Sequence, residues 1–253
     1  MPGPSGPGMF IWEPSQCEGG NWTTIVQKAQ ASGLTWLALH NFYSQAVIAQ
    51  LKEAGFYVAY SFYCTPNGGN GPIQGAAAAR SYGVDAVLFD AETPWEVLPN
   101  GQPGWRGPEA TAFVTALRAA VGPDCFLADD GAWQLPRSHP AYPDKEFAAV
   151  ADAAMPEVYW TEFPPTTTYA QAIANSESQW QTYPDVQGYK SVIRIGSAYG
   201  TNGAVPGGHQ PLNAQDLKDF LTRYRTCALW SWMHVPPFGW EVLQQLAASG
   251  SNA

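Results

Sequence analysis

Short apolar runs rich in β-forming residues alternate with helical segments along the whole chain. The runs recur about every thirty residues, and each is followed by a segment whose apolar positions have helical spacing. Alternation of this kind is typical of a parallel sheet built from βαβ units. The eight predicted strands are residues 9–14, 35–41, 57–64, 85–92, 125–133, 155–163, 191–200 and 227–235.

Eight consecutive units in a chain of 253 residues predict a single (β/α)8 TIM barrel of the α/β class. The competing arrangement is an open, doubly wound sheet. Neither the GxGxxG pattern nor the P-loop pattern follows the first strand, which disfavours that arrangement. Residues 1–8 are rich in Pro and Gly and are predicted to be a flexible N-terminal tail, and residues 9–253 to be the barrel domain.

The charge balance limits the classes of partner. Lys and Arg number 12 against 21 Asp and Glu, the formal net charge is −9, and no basic cluster occurs, so nucleic acid and anionic membrane surfaces are poor partners. The longest apolar stretches fall far short of the roughly 20 residues that span a bilayer. The start, MPGPSGPGMF, lacks the basic and apolar regions of a signal peptide. The location and the oligomeric state stay open, with an extracellular or phage-associated location favoured.

The four cysteines predict neither a zinc site nor a redox motif. Cys17, Cys64, Cys125 and Cys227 are far apart, and no pair forms CxxC. We therefore predict no metal and no cofactor. In a barrel, Cys17 and Cys64 would lie at one end and Cys125 and Cys227 at the other. Disulfides within these pairs and free buried thiols are both compatible with the sequence.

Polar and aromatic residues collect where the predicted strands end. Active sites of (β/α)8 barrels are built at the C-terminal ends of the strands, from the loops that follow. Carboxylates and aromatic rings dominate the residues at or just beyond these ends, which are Trp12, Glu13, His40, Asn41, Tyr60, Phe62, Tyr63, Asp90, Glu92, Trp95, Asp129, Asp130, Glu157, Tyr159, Glu162, Arg194, Tyr199, Trp230, Trp232 and His234.

The run VLFDAETPWE, residues 87–96, carries the strongest catalytic signal. Strand side chains alternate between faces, so Asp90 and Glu92 share one face. When two carboxyls are neighbours, ionising the second is disfavoured, which raises the pKa of at least one of them. That group can stay protonated and act as a general acid. Glycoside hydrolysis needs such a pair. We predict Glu92 as the acid and Asp90 as its partner, with Glu13 and Glu157 as auxiliary candidates.

Three of these acids also have structural interpretations. Asp90 and Glu92 would be ordinary surface acids if this strand end simply met solvent. Glu157 lies in the apolar run MPEVYW and would form a purely structural ion pair if Arg194, on the next strand, were its partner.

The abundance of Trp, Tyr and Phe suggests a sugar-binding groove. Sugars pack their apolar CH faces on aromatic rings while their hydroxyls bind polar groups. Of Asp129 and Asp130, at most one can point inward, because adjacent strand residues face opposite ways. The predicted substrate-binding residues are Trp12, His40, Tyr60, Trp95, Asp129, Tyr159, Trp230, Trp232 and His234.

The strand GVDAVLFDAE resembles the strand that ends in Asp-x-Glu in family 25 glycoside hydrolases, the N-acetylmuramidase lysozymes, and more loosely that of chitinase-type barrels. MFIWEPSQ, MPEVYW and LWSWMH extend this resemblance. It implies that Asp90 assists at the N-acetyl group or anomeric carbon and that Glu92 donates the proton. The chain departs from the family 25 pattern at Glu13, where an Asp is typical, and at His234, where an acid is typical. It departs from the chitinase pattern at Leu88.

The sequence therefore predicts a glycoside hydrolase that cleaves a polysaccharide, such as cell-wall peptidoglycan or another N-acetylated glycan. Two alternatives stay open. One is a non-catalytic carbohydrate-binding or structural barrel, for example a phage tail or surface component. The other is a metal-dependent hydrolase that uses His40, Asp90 and His234.

Overall fold

The strands of the predicted barrel are present and run parallel to their neighbours. The computed structural model describes residues 2–164, 166–198 and 211–250. The strands are β1 Pro7–Ile11, β2 Trp36–His40, β3 Tyr57–Cys64, β4 Ala86–Ala91, β5 Phe126–Asp129, β6 Ala153–Ala154, β7 Glu157–Val158, β8 Ser191–Val192, β9 Arg194–Ser197 and β10 Cys227–Trp230.

Helices follow the strands and cover the outside of the sheet. Asn21 caps the first helix as predicted, because its side chain accepts a hydrogen bond from the backbone of Thr24 at 3.2 Å. Ser44 occupies the N-cap position of the second helix without a side-chain cap bond. The α-helices of the described residues are α1 Trp22–Ala31, α2 Gln45–Glu53, α3 Gly71–Ser81, α4 Gly107–Val121, α5 Asp144–Ala148, α6 Tyr169–Thr182, α7 Ala214–Arg223 and α8 Pro237–Ala248.

The sheet closes on itself through two interrupted strands. β6 and β7 belong to one extended stretch, residues 153–158, and β8 and β9 to another, residues 191–197. β6 pairs with β5 and β8, β7 pairs with β9, and β10 pairs with both β9 and β1. Taken as single strands, the two interrupted stretches complete a ring of eight strands, so the predicted α/β barrel is confirmed.

The barrel interior is filled by side chains from alternate positions of the strands. Phe10, Trp36, Leu88 and Met155 are buried there. A Cβ atom at Gly8 would lie 2.0 Å from the Trp36 ring, so only glycine leaves room for this indole inside the barrel. The residues between the inward positions face the helices and form the larger outer core. This alternation orients the residues at the top of each strand.

The N-terminal segment packs against the barrel. β1 starts at Pro7, two residues before the predicted boundary between tail and barrel. The backbone carbonyl of Gly6 accepts a hydrogen bond from Trp36 Nε1 at 3.1 Å, and Gly3 lies against the ring of Phe126. This Pro- and Gly-rich stretch fits closely onto these two rings because its residues are small, and the division into a tail and a barrel domain stays a prediction.

All four cysteines are buried free thiols. Among the described residues no helix is long and apolar enough to cross a membrane.

Near the mouth of the barrel, Gly131 is the glycine at which we expect an added methyl group to lower the stability of the fold most. A Cβ atom there would lie 2.5 Å from the backbone N and O of Ala91, which cannot rotate away. We expect Gly131→Ala to lower the free energy of unfolding by about 1–3 kcal/mol. Gly71→Ala is the matched control, because a Cβ atom there meets nothing within 4 Å. Equal denaturation midpoints for the two variants would contradict this expectation.

Candidate active site

A cavity of about 530 Å³ opens at the C-terminal ends of the strands. Asp90 is 8% exposed at the top of β4, and Glu92 follows it on the same face. We call this space the acid cavity. Its lining residues are Trp12, His40, Asn41, Tyr63, Asp90, Glu92, Trp133, Glu157, Tyr159, Glu162 and Trp230.

Three carboxyl groups converge in the acid cavity. Asp90, Glu92 and Glu157 each present an oxygen, and these oxygens lie within 4.8 Å of one another. Glu157 reaches the cavity because its neighbour Val158 packs in the outer core, which turns Glu157 inward. The hydroxyl of Tyr159 donates a hydrogen bond to Glu157 at 3.1 Å and orients it.

Burial favours the protonated forms of these three carboxyls. Burial raises the pKa of Asp90 well above its ordinary value, and the nearby carboxyls of Asp130 and Glu92 raise it further. The pKa of Glu157 is raised well above its ordinary value by burial and then by Asp90 and Glu92. Burial also raises the pKa of Glu92. A cluster that cannot ionise completely holds a proton donor beside an ionised carboxylate, as acid and base catalysis requires.

A buried hydrogen-bonded chain lies next to Asp90. His40 Nδ1 is 2.8 Å from the hydroxyl of Ser61, and this hydroxyl donates to Asp130 at 2.6 Å. Because the Ser61 hydroxyl donates its proton to Asp130, its oxygen must accept the hydrogen bond from His40. We therefore infer that Nδ1 carries the proton of His40. Nε2 then faces Asp90 at 3.9 Å. Burial lowers the pKa of His40 to about 4, so the imidazole is neutral at neutral pH and does not stabilise an Asp90 anion.

Aromatic rings form one wall of the acid cavity. The rings of Trp12 and Trp230 are 6.0 Å apart at 30°, and Trp230 meets the ring of His40 edge-on at 4.9 Å. Trp12 and Tyr63 are each 39% exposed, so their faces are accessible from solvent. Such a wall suits the apolar face of a sugar ring.

The predicted residues in this cavity are Trp12, His40, Asp90, Glu92, Glu157, Tyr159 and Trp230. The inward direction of Asp90 and Glu92 agrees with the alternation predicted for their strand. Glu157 does not pair with Arg194, because Arg194 occupies the opposite face and its guanidinium lies over the ring of Tyr224 at 4.7 Å.

Asp129 was expected at the site and lies on the other face of β5. Its carboxylate accepts hydrogen bonds from the hydroxyls of Tyr142, at 3.0 Å, and Tyr189, at 2.9 Å, between the strand and the helices. Asp130 is the residue that points into the barrel, where it binds Ser61. The sequence allowed only one of the two to face inward, and the register of β5 selects Asp130.

Three predicted aromatic contacts also lie outside the cavity. Tyr60 points toward the helices, one residue out of phase with the inward positions. Trp95 is fully buried, and its indole N–H donates to the carbonyl of Cys64 at 3.1 Å. Trp232 is 3% exposed and packs on Trp240. These rings stabilise the outer core, so they cannot stack on a sugar in this cavity.

Glu13 and His234 lie beside the aromatic wall without lining the cavity. Glu13 accepts a hydrogen bond from the Gln16 amide, and Nδ1 of His234 is 3.0 Å from the Ser231 hydroxyl. Burial lowers the pKa of His234, and the nearby Glu13 opposes this. Tyr199, at the end of a predicted strand, lies outside the described residues.

Four lining residues were not among the predicted catalytic and substrate-binding residues. Tyr63 and Asn41 stand at strand ends, and correct phasing of β3 would have selected Tyr63 over Tyr60. Asn41 has a φ of 59°, and its side chain accepts a hydrogen bond from the backbone of Tyr63 at 2.9 Å. Glu162 lies in the segment after β7 and Trp133 in the segment after β5. These segments are not strands, so the alternation of strand side chains cannot predict where their side chains point.

The carboxyl trio has the composition of a site for a hard cation. Carboxylate oxygens at this spacing suit Mg²⁺ or Ca²⁺. The set differs from the His40, Asp90 and His234 combination considered from the sequence, because His234 does not line the cavity. The absence of a metal stays a prediction.

Sequence comparison identifies no relative, since no family model and no curated protein match this chain significantly. Solved structures match it by fold. A β-D-glucuronidase from Dictyoglomus thermophilum has a TM-score of 0.65 at 9% identity, over 96% of this chain and 50% of that one. The chain thus spans about half the length of that enzyme.

Two further structures cover more of their own length. An endo-β-1,4-mannanase from Thermotoga petrophila has a TM-score of 0.62 at 10% identity, over 96% of this chain and 76% of that one. Human YKL-39, a pseudo-chitinase with retained chitooligosaccharide binding, has a TM-score of 0.57 at 8% identity, over 97% of this chain and 100% of that one. Identities this low show the fold alone, which this chain shares with glycosidase-type barrels. None of these three is a family 25 enzyme, and that resemblance stays a prediction.

The raised pKa of Asp90 makes the protein less stable as the pH rises. Above the ordinary value of 3.8, the folded state retains a proton that the unfolded chain has released, so stability falls until the raised folded pKa is passed. Asp90→Asn removes this pH-dependent loss of stability, because the amide does not ionise. We expect it to increase the free energy of unfolding near pH 8 and to have little effect below pH 4, because the buried carboxyl costs stability only above the ordinary pKa.

Denaturant titrations at both pH values measure this difference. Asp124→Asn is the control, because Asp124 is exposed. A gain for Asp90→Asn that is the same at both pH values would show that the carboxyl does not titrate as inferred.

Proposed function

We propose that this protein is a glycoside hydrolase that cleaves an N-acetylated polysaccharide such as peptidoglycan, with Glu92 as the general acid. The supporting observation is the convergence of Asp90, Glu92 and Glu157 within 4.8 Å, in a cavity with an aromatic wall. Among the described residues, none of the three forms an ion pair with Lys or Arg. The trio therefore remains available for proton transfer.

The roles are assigned from position and from the resemblance of the Asp-x-Glu strand. Asp90 lies deep in the cavity, whereas Glu92 is less buried and follows it on the rim. In the proposed step, Glu92 gives its proton to the glycosidic oxygen, and the carbon–oxygen bond breaks with its electrons going to that oxygen. An ionised carboxylate of Asp90 or Glu157 stabilises the positive charge on the sugar carbon. Water then adds its hydroxyl to this carbon and returns a proton to Glu92.

The substrate class is supported by the resemblance of the Asp-x-Glu strand and by the fold comparison. The matching structures include a glucuronidase, a mannanase and a chitooligosaccharide-binding protein. The exposed rings of Trp12 and Tyr63 at the mouth provide surfaces on which a sugar packs.

A second candidate is a carbohydrate-binding barrel without catalysis. It is favoured by the same exposed rings, which bind a sugar without needing the acids. The pseudo-chitinase among the matching structures retains chitooligosaccharide binding. Wild-type protein that binds chitooligosaccharides or peptidoglycan fragments, and releases no new reducing ends from them, would support this candidate over hydrolysis.

Glu92→Gln tests the general acid. The amide has nearly the same shape but cannot donate the catalytic proton, so we expect kcat on cell-wall or chitin substrates to fall by about 10²–10⁴. Glu13→Gln is the matched control, because Glu13 lies two residues beyond β1 and does not line the cavity, and should retain activity within a few-fold. Reducing-end release measures both, with thermal denaturation to confirm folding. Unchanged turnover in Glu92→Gln would refute the assignment.

Chelation tests the metal-dependent alternative. If the trio acts by proton transfer alone, dialysis against EDTA should leave hydrolysis within about twofold of the untreated protein. Loss of activity with EDTA and recovery with Mg²⁺ or Ca²⁺ would instead assign Asp90, Glu92 and Glu157 as cation ligands.

A further inference from the structure

A second cavity, of about 590 Å³, adjoins the acid cavity and shares two residues with it. Tyr63 and Glu92 line both, so the proposed general acid stands at their junction. We call this second space the side pocket. It is lined by Tyr63, Thr65, Pro66, Asn67, Glu92, Thr93, Pro94, Val97, Leu98, Pro99, Gly101 and Arg106.

The side pocket differs from the acid cavity in chemistry. Its surface is mainly apolar, with proline rings and the side chains of Val97 and Leu98, whereas the acid cavity carries several carboxyls. A sugar ring enclosed here would leave most of its hydroxyls without partners, which is costly. An aryl, alkyl or acyl group would instead exchange water for apolar contact.

The loop that forms this pocket is held in shape by its own hydrogen bonds. Leu98 N donates to the carbonyl of Gln102 at 2.8 Å, and Gly104 N donates to that of Glu96 at 2.7 Å. Gly104 packs so closely on Leu98 that a Cβ atom there would lie 2.6 Å from its Cγ. The pocket is therefore preformed, which lowers the entropic cost of binding.

Arg106 joins this loop to the loop after β3. It is 5% exposed, and its guanidinium donates to Glu109 at 3.0 Å, to the Asn67 side chain at 3.4 Å and to the Val97 carbonyl at 3.4 Å. Glu109 balances its charge. Arg106 thus stabilises the pocket wall and is not an open site for an anion.

We propose that the side pocket binds an apolar aryl, alkyl or acyl group carried on the leaving-group side of the scissile bond, so that the enzyme accepts glycosides of apolar alcohols in addition to the polysaccharide of the proposed function. The inference rests on the proposed function, because Glu92 must protonate the leaving oxygen. A general acid that lines both cavities is placed to reach an oxygen whose sugar lies in the acid cavity and whose other substituent lies in the side pocket. The pocket would then determine which leaving groups the enzyme accepts.

A pair of substrates with equally acidic leaving alcohols tests this. Benzyl and methyl glycosides of N,N′-diacetylchitobiose differ in the size of the apolar leaving group, while intrinsic bond reactivity stays similar. We expect kcat/KM to be at least about tenfold higher for the benzyl glycoside, because a buried phenyl group contributes binding that methyl lacks.

Two matched variants locate the effect. Leu98→Asn places an amide in the pocket and should lower kcat/KM for the benzyl glycoside about tenfold, with the methyl glycoside unchanged within twofold. Leu135→Asn is the control, because Leu135 is also half-buried and lines neither cavity, and should preserve the ratio. A benzyl-to-methyl ratio near one, or equal losses on both substrates in Leu98→Asn, would overturn the inference while leaving hydrolysis intact.

A binding experiment keeps the two proposals separable. If wild-type protein hydrolyses neither glycoside, the proposed function fails, and titration with 2-naphthylmethanol followed by its fluorescence decides the pocket. Binding that weakens at least tenfold in Leu98→Asn and persists in Leu135→Asn supports an apolar ligand site. Absence of binding to the wild-type protein, or equal binding to both variants, overturns it.

Discussion

The alternation of side chains in a closed parallel sheet is the constraint on which the rest of this structure depends. Each strand must direct every second residue into an interior with space only for packed side chains. On β4 this places Leu88 in the packed layer and Asp90 just above it, at the mouth, with Glu92 following. The carboxyl positions therefore result from filling the barrel.

The site combines an energetic cost with geometric order. Burial and mutual repulsion raise the pKa values of Asp90 and Glu157, so these groups weaken the folded state at neutral pH. The extensive apolar core offsets that cost. The hydrogen bonds from His40 through Ser61 to Asp130 hold the residues beside Asp90 in one arrangement. Such preorganisation favours chemistry at the expense of stability.

The candidate site could be predicted in part, and the failures share a physical cause. Asp90 and Glu92 were identified correctly as facing one way, because their relation depends only on a spacing of two. Asp129 and Tyr60 were assigned to the wrong face, because apolar residues occupy both faces of these buried strands and no pattern marks the inner one. Trp133 follows β5 in a segment without strand periodicity.

By itself, the sequence determined the number of strand and helix units, the fold class and the shared direction of Asp90 and Glu92, since these depend on local spacing along the chain. Only the tertiary structure decided that Glu157 meets this pair and that Trp95 is buried behind it. It also decided that an apolar pocket adjoins Glu92. Those outcomes depend on the register between strands and on contacts between residues far apart in sequence, which local patterns do not encode.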